Sequence, residues 1–162
     1  MLKKLVKMLF ILSIILKKST LKTMLKLQQF VKMHLEIQEF FSLQIPEYLV
    51  DLQKGWCNGT ERLAKIEISP KNKRYLVLDQ EMIIERSDSN SNIYDSLVFV
   101  FRDLEYIKIP SFIKYIKPYA ISDTLNLLKV EFTENSELLS IGKNAFFSSS
   151  IENLQIPENV NN

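Results

Sequence analysis

The sequence repeats one short apolar pattern five times, and this repetition restricts the folds open to the chain more than any other feature. The pattern is an apolar residue, two further residues, a second apolar residue, one residue, and a third apolar residue. Successive copies begin 23, 41, 23 and 24 residues apart, so the long interval equals one period plus an insertion. The copies consist of Phe40, Leu43 and Ile45; Leu63, Ile66 and Ile68; Leu104, Ile107 and Ile109; Leu127, Val130 and Phe132; and Ile151, Leu154 and Ile156.

A period of about 20–29 residues with this core is typical of a leucine-rich repeat solenoid. Each core is expected to form a short strand with its apolar side chains on one side, because alternate strand residues point to opposite faces. One coil cannot bury that side alone, so the coils stack and share a core. Proline ends strand pairing because it lacks an N–H, and it follows four of the five copies, at Pro46, Pro70, Pro110 and Pro157. We therefore predict an α/β-type leucine-rich repeat solenoid over residues 40–162, made mostly of short parallel strands and turns around one continuous core.

The insertion covers about residues 70–103 and has a pattern of its own. YLVLDQEMIIERS places apolar runs on either side of a polar centre, and SLVFVF at 96–101 is typical of a buried strand. RSDSNSNIYD, which lies between them, has the composition of a loop. We predict an inserted β-hairpin followed by a strand that rejoins the solenoid. The acidic residues Asp79, Glu81, Glu85 and Asp88 do not have the spacing of a cation site, and we interpret them as turn residues and solvated charges.

The composition argues against most catalytic and metal-binding classes. The chain has three glycines, one cysteine (Cys57) and one histidine (His34). These numbers exclude a disulfide scaffold, a cysteine-based zinc site and a glycine-rich phosphate loop, and they leave no convincing Ser-His-Asp arrangement. We predict no enzyme activity, and no catalytic, cofactor-binding or metal-binding residues.

The first 39 residues form a basic, apolar arm that stands outside the repeats. Residues 1–35 contain eight lysines and no acidic residue, which leaves 13 basic and 19 acidic residues in the rest of the chain. The body is therefore acidic, and we expect no nucleic-acid partner. The apolar run at 8–16 is far shorter than the roughly 20 residues that span a bilayer, so we predict no transmembrane helix. The composition favours a helical arm.

Several interpretations of this arm stay open. The run at 8–16 matches the apolar region of a signal peptide, although no cleavage site follows it, and the lysines and leucines also suit a membrane-surface helix. Alternatively, the arm is repeat sequence translated in a shifted frame. Shifted codons beneath residues 28–41 permit TICKNAFGNSGIF, which is similar to SIGKNAFFSSSI at 140–151. In that case His34 and the lysines have no selected role, and the chain is a fragment of a longer repeat protein.

Three segments resemble a known family. IPSFIKYIKPYA, ENSELLSIGKNAFFSSSIENLQIPENV and GWCNGT are similar to the BspA-like leucine-rich repeat surface antigens of the protist type. The sequence departs from that repeat at Ile121, where the family has Phe, and at Thr124 and Ser149, where it has Cys, and we expect looser packing there. The resemblance implies a cell-surface or secreted protein that adheres to host cells, microbes or matrix through protein contacts.

Individual residues permit a functional and a structural interpretation. Trp56 has the register of a coil-closing position, so we expect it in the core and not as an exposed ligand anchor. Cys57 has no trustworthy histidine to activate it, and we expect a buried small side chain. Asn58 begins an N-glycosylation sequon, Asn-Gly-Thr, which has meaning only in the secretory pathway.

The sequence leaves the role of three tyrosines and the cellular function open. Tyr106, Tyr115 and Tyr119 suit a recognition face and coil packing equally well. The leading hypothesis is a non-catalytic recognition or adhesion module, since a solenoid presents a broad regular surface. The alternatives are an intracellular scaffold for protein interactions and a non-functional fragment of a longer repeat gene. The sequence specifies neither the ligand nor the oligomeric state.

Overall fold

The computed structural model describes residues 42–49, 51–52, 56–57, 60–61 and 63–160. These residues form a β-solenoid of about five turns that contains no helix. The α/β designation is therefore wrong for the described part, in which turns and short strands connect the coils. The expected helical arm, Phe40 and Asn58 lie outside the described residues. The strands are β1 (Ser42–Ile45), β2 (Lys65–Ile68), β3 (Tyr75–Leu78), β4 (Met82–Glu85), β5 (Ser96–Val100), β6 (Tyr106–Ile109), β7 (Tyr115–Ile116), β8 (Lys129–Phe132), β9 (Ser140–Ile141) and β10 (Asn153–Leu154).

The repeat cores form parallel strands in matching register. β1 pairs with β2, and β6, β8 and β10 form a second ladder with β8 in the centre. Equivalent apolar residues lie opposite each other, as Ile107 does to Val130 and Val130 to Leu154. Along β6, exposed and buried residues alternate, as the period of two requires.

A tight turn follows the strand in four coils. In each, a backbone N–H donates to the carbonyl oxygen three residues earlier, close to the repeat proline. The four bonds run from Leu49 to Pro46, from Asn72 to Ser69, from Ile113 to Pro110 and from Val160 to Pro157, at 2.8–3.4 Å. The proline positions therefore mark where each coil turns away from the ladder.

The insertion contains the expected hairpin and rejoins the solenoid through β5. β3 and β4 are antiparallel, and Asp79 and Gln80 between them have φ angles of 51° and 59°, as the central residues of a type I′ turn require. β4 pairs with β5, which pairs in parallel with β7, and β7 with β9. The result is a sheet of order β3-β4-β5-β7-β9, whose last three strands form the second wall of the later coils.

The expectation of one continuous core is wrong. The smaller core contains Leu43, Ile45, Leu49, Trp56, Cys57, Leu63, Ile66, Tyr75, Ile83, Val98, Phe99 and Phe101. The larger core contains Met82, Ile84, Leu97, Val100, Ile107, Ile109, Ile113, Ile116, Ala120, Ile121, Leu127, Val130, Leu138 and Ala145. β4 and β5 are buried along their whole length and contribute residues to both cores. They form a partition, and β2 and β6 have no pair of Cα atoms within 8 Å.

Most of the repeat-core residues expected from the sequence face the interior. Eight are buried, namely Leu43, Ile45, Leu63, Ile66, Ile107, Ile109, Leu127 and Val130. Five are half-buried, namely Ile68, Leu104, Phe132, Ile151 and Leu154. Ile156 differs from the expectation, because 50% of its surface is exposed. No described strand packs on the far edge of β10, so residues of this coil do not receive the cover that a following coil gives.

Hydroxyl groups fill the repeat position that the related family gives to cysteine. Thr124 Oγ1 donates to the carbonyl oxygen of Ile121 at 2.8 Å, and Ser149 Oγ donates to that of Phe146 at the same distance. Thr60 makes the equivalent bond to Cys57 at 2.6 Å. Thr124 and Ile121 are fully buried, whereas Ser149 is half-buried.

Candidate functional site

The outer side of the β6-β8-β10 ladder presents polar side chains from three successive coils. Because the apolar residues of each strand point inward, the residues between them point outward. Tyr106 lies opposite Lys129, and Lys129 lies opposite Asn153. Lys108 lies opposite Glu131 in the next row. We define the ladder face as Tyr106, Lys108, Lys129, Glu131, Asn153 and Gln155.

Three side chains of the ladder face hold one another in place. The Tyr106 hydroxyl donates a hydrogen bond of 2.8 Å to Glu131 Oε2. Lys129 Nζ forms an ion pair with Glu131 Oε1 and lies 5.9 Å from the centroid of the Tyr106 ring. The phenol, ammonium and carboxylate therefore form one cluster that bridges β6 and β8.

The charges of this cluster reinforce each other. The hydrogen bond from Lys129, and then that from Tyr106, lower the pKa of Glu131 below its usual value of 4.5. The hydrogen bond to Glu131 raises the pKa of Lys129 above 10.5 and that of Tyr106 above 10.0. Around neutral pH the cluster is a charged pair with a protonated phenol. Because these groups are exposed, solvent screens them, and the ion pair contributes little to stability.

A similar pair lies on the first two coils. Glu67 Oε1 is 2.7 Å from Lys65 Nζ, and Glu67 Oε2 accepts a hydrogen bond of 3.1 Å from Gln44 Nε2. The hydrogen bond from Lys65 and that from Gln44 lower the pKa of Glu67. The Lys-x-Glu sequence therefore recurs on the outer side of β2 and β8. The sequences KIEI and KVEF display this recurrence.

The structure separates the three tyrosines that the sequence left undecided. Tyr106 is exposed, with 43% of its surface accessible, and belongs to the ladder face. Tyr115 and Tyr119 lie later in the same coil and are half-buried. Tyr119 accepts a hydrogen bond of 2.9 Å from Asn144 Nδ2 of the next coil. Tyr106 is therefore the tyrosine best placed for recognition.

Trp56 and Cys57 lie in the smaller core, as the sequence analysis favoured. The Trp56 ring packs 5.3 Å from the centroid of Phe99, and only 4% of its surface is exposed. Cys57 Sγ donates to the carbonyl oxygen of Tyr119 at 3.3 Å, and burial raises the pKa of its thiol to about 11. A thiol in this state is a poor nucleophile. Neither residue offers a ligand site.

The acidic residues of the insertion do not converge on one point. Asp79 lies in the hairpin turn, whereas Glu85 is buried and contacts Lys117 Nζ at 2.8 Å and Arg74 Nε at 3.4 Å. The interpretation of Glu85 as a solvated charge is therefore wrong. Its carboxylate links β4 to Lys117, the residue directly after β7. Among the described residues, no group of three or more potential ligands is placed to hold a metal ion.

Comparison with one solved structure supports the fold. A leucine rich cell surface protein from Faecalibacterium prausnitzii A2-165 is similar, with a TM-score of 0.63 and 18% sequence identity over 74% of this chain and 30% of that chain. The pneumococcal vaccine antigen PcpA gives a TM-score of 0.36 and 19% identity over 74% of this chain and 31% of that one. This chain thus spans less than a third of either protein. Comparison with curated proteins gives no match.

Comparison with family models gives a direct assignment. Within the part of the chain that the structure describes, no helix has the length and apolar character needed to cross a membrane. Residues 82–162, which make up half of the sequence, match the BspA type leucine rich repeat region in six copies. The matched residues include β4 and β5 as well as the β6-β8-β10 ladder, so the partition between the cores is itself part of the repeat region. The chain belongs to the BspA type leucine rich repeat family.

Proposed function

We propose that this chain is a non-catalytic recognition module that binds a protein partner through the ladder face. The observation that carries the proposal is the cluster of Tyr106, Lys129 and Glu131, which holds exposed side chains in fixed directions across two coils. Successive rows are about 4.8 Å apart, so the face presents a regular polar array to an extended partner. Side chains that are already ordered lose less entropy when a partner binds.

A recognition role agrees with the chemistry of the described residues. The thiol of Cys57 has a pKa of about 11 and is buried. The single histidine, His34, lies outside the described residues. The proposal takes residues 40–162 as the repeat domain, with the fourteen core residues from Leu43 to Ile156 as its framework, and residues 1–39 as an arm outside it.

The proposed location is the cell surface or the secreted fraction, in adhesion to host cells, microbes or matrix. The family assignment and the cell-surface protein of similar fold support this location. On this view Asn58 carries a glycan. Antibody labelling of intact and permeabilised cells tests the location, and a mass loss on treatment with an amidase specific for N-glycans tests the modification. Labelling only after permeabilisation, without a glycan, would favour the intracellular scaffold.

The recognition role is tested by adhesion of the purified chain to fixed epithelial cells and to surfaces coated with fibronectin, laminin or collagen. The face variant replaces Tyr106, Lys108 and Lys129 with serine. The matched control replaces Lys71, Lys73 and Ile93, which are also exposed but lie off the ladder face, with serine. We expect the face variant to lose at least about tenfold in binding and the control to retain it. Equal binding by both variants would exclude the ladder face as the contact surface.

A further inference from the structure

The residues that directly precede β6, β8 and β10 form a further row beside the ladder face. They are Glu105, Leu128 and Glu152, and we name them the entry row. The N–H of Leu128 donates to the carbonyl oxygen of Glu105 at 2.9 Å, and the N–H of Glu152 donates to that of Leu128 at 3.1 Å. These bonds extend the register of the ladder by one residue, so Leu128 lies between two glutamates of the neighbouring coils.

All three side chains of the entry row are open to solvent. Glu105 and Glu152 are exposed, and 47% of the Leu128 surface is accessible. Two further large side chains on the same two coils are exposed, namely Tyr106, which follows Glu105, and Leu125, which lies three residues before Leu128. A single exposed leucine is ordinary in a folded domain, whereas a group of large exposed apolar side chains within a polar border indicates an interaction surface.

The entry row carries negative charge that the described part of the chain does not neutralise. Neither Glu105 nor Glu152 forms an ion pair or a side-chain hydrogen bond with another described residue. The lysine next to Leu128, Lys129, pairs with Glu131, which lies further along β8 and away from the entry row. Residues 36–162 contain 13 basic and 19 acidic residues, a net charge of 13 − 19 = −6. The field of the chain therefore also attracts a cationic partner.

The geometry of the entry row suits a side chain that combines an apolar stem with a cationic end. Adjacent coils are about 4.8 Å apart, so a group above Leu128 lies about 5 Å, measured along the ladder, from the backbone of each glutamate. Lysine and arginine cover apolar surface with their methylene stems and keep the charged end free to pair. Arginine fits best, because its planar guanidinium donates to carboxylates through several N–H groups at once.

We infer that the entry row binds a segment of a partner protein that carries arginine beside apolar residues. The stem of the arginine packs on Leu128, and its guanidinium lies between Glu105 and Glu152. This inference rests on the recognition role proposed above and specifies the chemistry of the partner. An acidic segment is disfavoured at the same place, because it would meet two carboxylates of like charge.

Direct binding is measured by fluorescence anisotropy of labelled, capped peptides added to the full chain. The peptides SRLSRLSRL, SQLSQLSQL and SELSELSEL differ only in the charge of one recurring residue. The row variant combines Glu105→Gln with Glu152→Gln. The matched control combines Glu134→Gln with Glu158→Gln, at exposed positions in the turns after β8 and β10.

The two variants separate a local contact from a general loss of negative charge. We expect the wild-type chain to prefer the arginine peptide, with a Kd below about 1 mM. The row variant should bind this peptide at least about fivefold more weakly than the control does. No measurable binding by the wild-type chain up to about 1 mM peptide, or an equal loss in both variants, would overturn the inference.

Charge reversal gives an independent measurement with the same peptides. Glu105→Arg combined with Glu152→Arg should change the preference from the arginine peptide to the glutamate peptide, because the carboxylates of the peptide then meet two guanidinium groups. The pair Glu134→Arg and Glu158→Arg alters the net charge by the same amount and should keep the original preference. The same change of preference in both chains would reduce the effect to net charge and overturn the inference.

The apolar half of the contact has its own variant. Leu128→Ser removes the surface on which the stem packs, and affinity for the arginine peptide should fall about threefold. The matched control is Leu139→Ser, at an exposed leucine next to β9 and off the ladder face, and it should bind like the wild-type chain. Unchanged binding by Leu128→Ser would overturn a stem that packs on this residue.

Adhesion assays distinguish this inference from the proposed function. The row variant with two glutamines is compared with the face variant on the cells and coated surfaces named above. Loss of adhesion in the face variant alone would keep the ladder face as the contact surface and overturn the inference. Loss of peptide binding in the row variant, with full adhesion by the face variant, would support the inference and contradict adhesion through the ladder face. In sedimentation, a wild-type dimer that the row variant converts to a monomer would assign the entry row to a second copy and overturn a foreign partner.

Discussion

Replacement of Asn72 by alanine is expected to loosen the first two coils while the later coils remain folded. Asn72 is buried, and its amide makes four hydrogen bonds. Nδ2 donates to the carbonyl oxygens of Pro46 and Leu49 at 2.8 and 2.9 Å, and Oδ1 accepts from the backbone N–H groups of Arg74 and Tyr75 at 2.8 and 2.9 Å. One side chain thus ties the turn after β1 to the start of β3.

The expected loss of stability follows from these four bonds. A hydrogen bond contributes about 1 kcal/mol net, and a buried group left without a partner costs about 1–3 kcal/mol. The carbonyl oxygen of Pro46 also accepts from the N–H of Leu49 at 3.3 Å, so it retains a partner in the variant. Three groups then lose the partner that Asn72 provides. We expect the free energy of unfolding to fall by about 3 kcal/mol, a large share of the roughly 5–15 kcal/mol that stabilises a domain.

Two spectroscopic signals distinguish the two cores during urea unfolding. Trp56 is the only tryptophan and lies in the smaller core, so its fluorescence reports the first coils. Far-UV circular dichroism reports all strands. In Asn72→Ala the fluorescence midpoint should move to lower urea than the dichroism midpoint, because the larger core on the other side of β4 and β5 keeps its contacts. Asn90→Ala, at an exposed loop position, is the matched control and should change stability by less than about 0.5 kcal/mol.

The result separates two parts of the reasoning. If the free energy of unfolding of Asn72→Ala lies within about 0.5 kcal/mol of that of the wild-type chain, the four hydrogen bonds do not contribute the expected stability. If both signals shift together by the full amount, the bonds matter but the two cores unfold as one cooperative unit. Only a fluorescence transition that precedes the dichroism transition supports both the bonds and the division.

Three further predictions concern single groups. At pH 8 a thiol with a pKa of about 11, such as Cys57, has roughly a hundredfold smaller thiolate fraction than a thiol with the usual pKa of 9.0. Iodoacetamide should therefore label Cys57 only after unfolding. Rapid labelling of the native chain would contradict this. Thr124→Val keeps the shape of the side chain but removes the donor to Ile121, and urea unfolding should show a loss of about 1 kcal/mol, whereas an unchanged midpoint would show that the bond contributes nothing. Lys129→Met should raise the pKa of Glu131 toward 4.5 in a carboxyl NMR titration. The depressed pKa of Glu131 stabilises the native chain above the unfolded pKa, and this stabilisation is lost as the pH falls through the folded pKa. The free energy of unfolding of the variant should therefore fall less on acidification.

The repeat period predicted much of the fold because it depends on local signals. The alternation in Tyr106, Ile107, Lys108 and Ile109 sets which side chains face inward, and Pro110 marks the turn that follows. The hairpin was also predictable, since polar residues between two apolar runs favour a turn. These features require only neighbours in the chain or one period away, and the sequence displays both.

The division into two cores was not predictable from these signals. SLVFVF is apolar at nearly every position, which indicates burial on both faces but not what covers each face. In the structure Leu97 faces the larger core and Phe99 the smaller one. The bulge between Ile83 and Ile84 shifts the register within this partition, and no local sequence feature marks it.

The candidate site was predictable in part. The sequence did not decide whether Tyr106 packs in the core or lies on the surface. Its position between Glu105 and the inward-facing Ile107 nevertheless favours the outer face. The pairing of Tyr106 with Glu131 depends on a contact across coils, so it required the register that the structure provides. Glu85 was misjudged for the same reason, because its partner Lys117 lies 32 positions further along the chain.

The edge of β2 is protected against uncontrolled association. Open strand edges favour such association, and proteins limit it with short strands, charged residues and proline. β2 has four residues, carries Lys65 and Glu67 on its outer side, and is followed by Pro70. These features oppose the growth of a long intermolecular sheet along this edge.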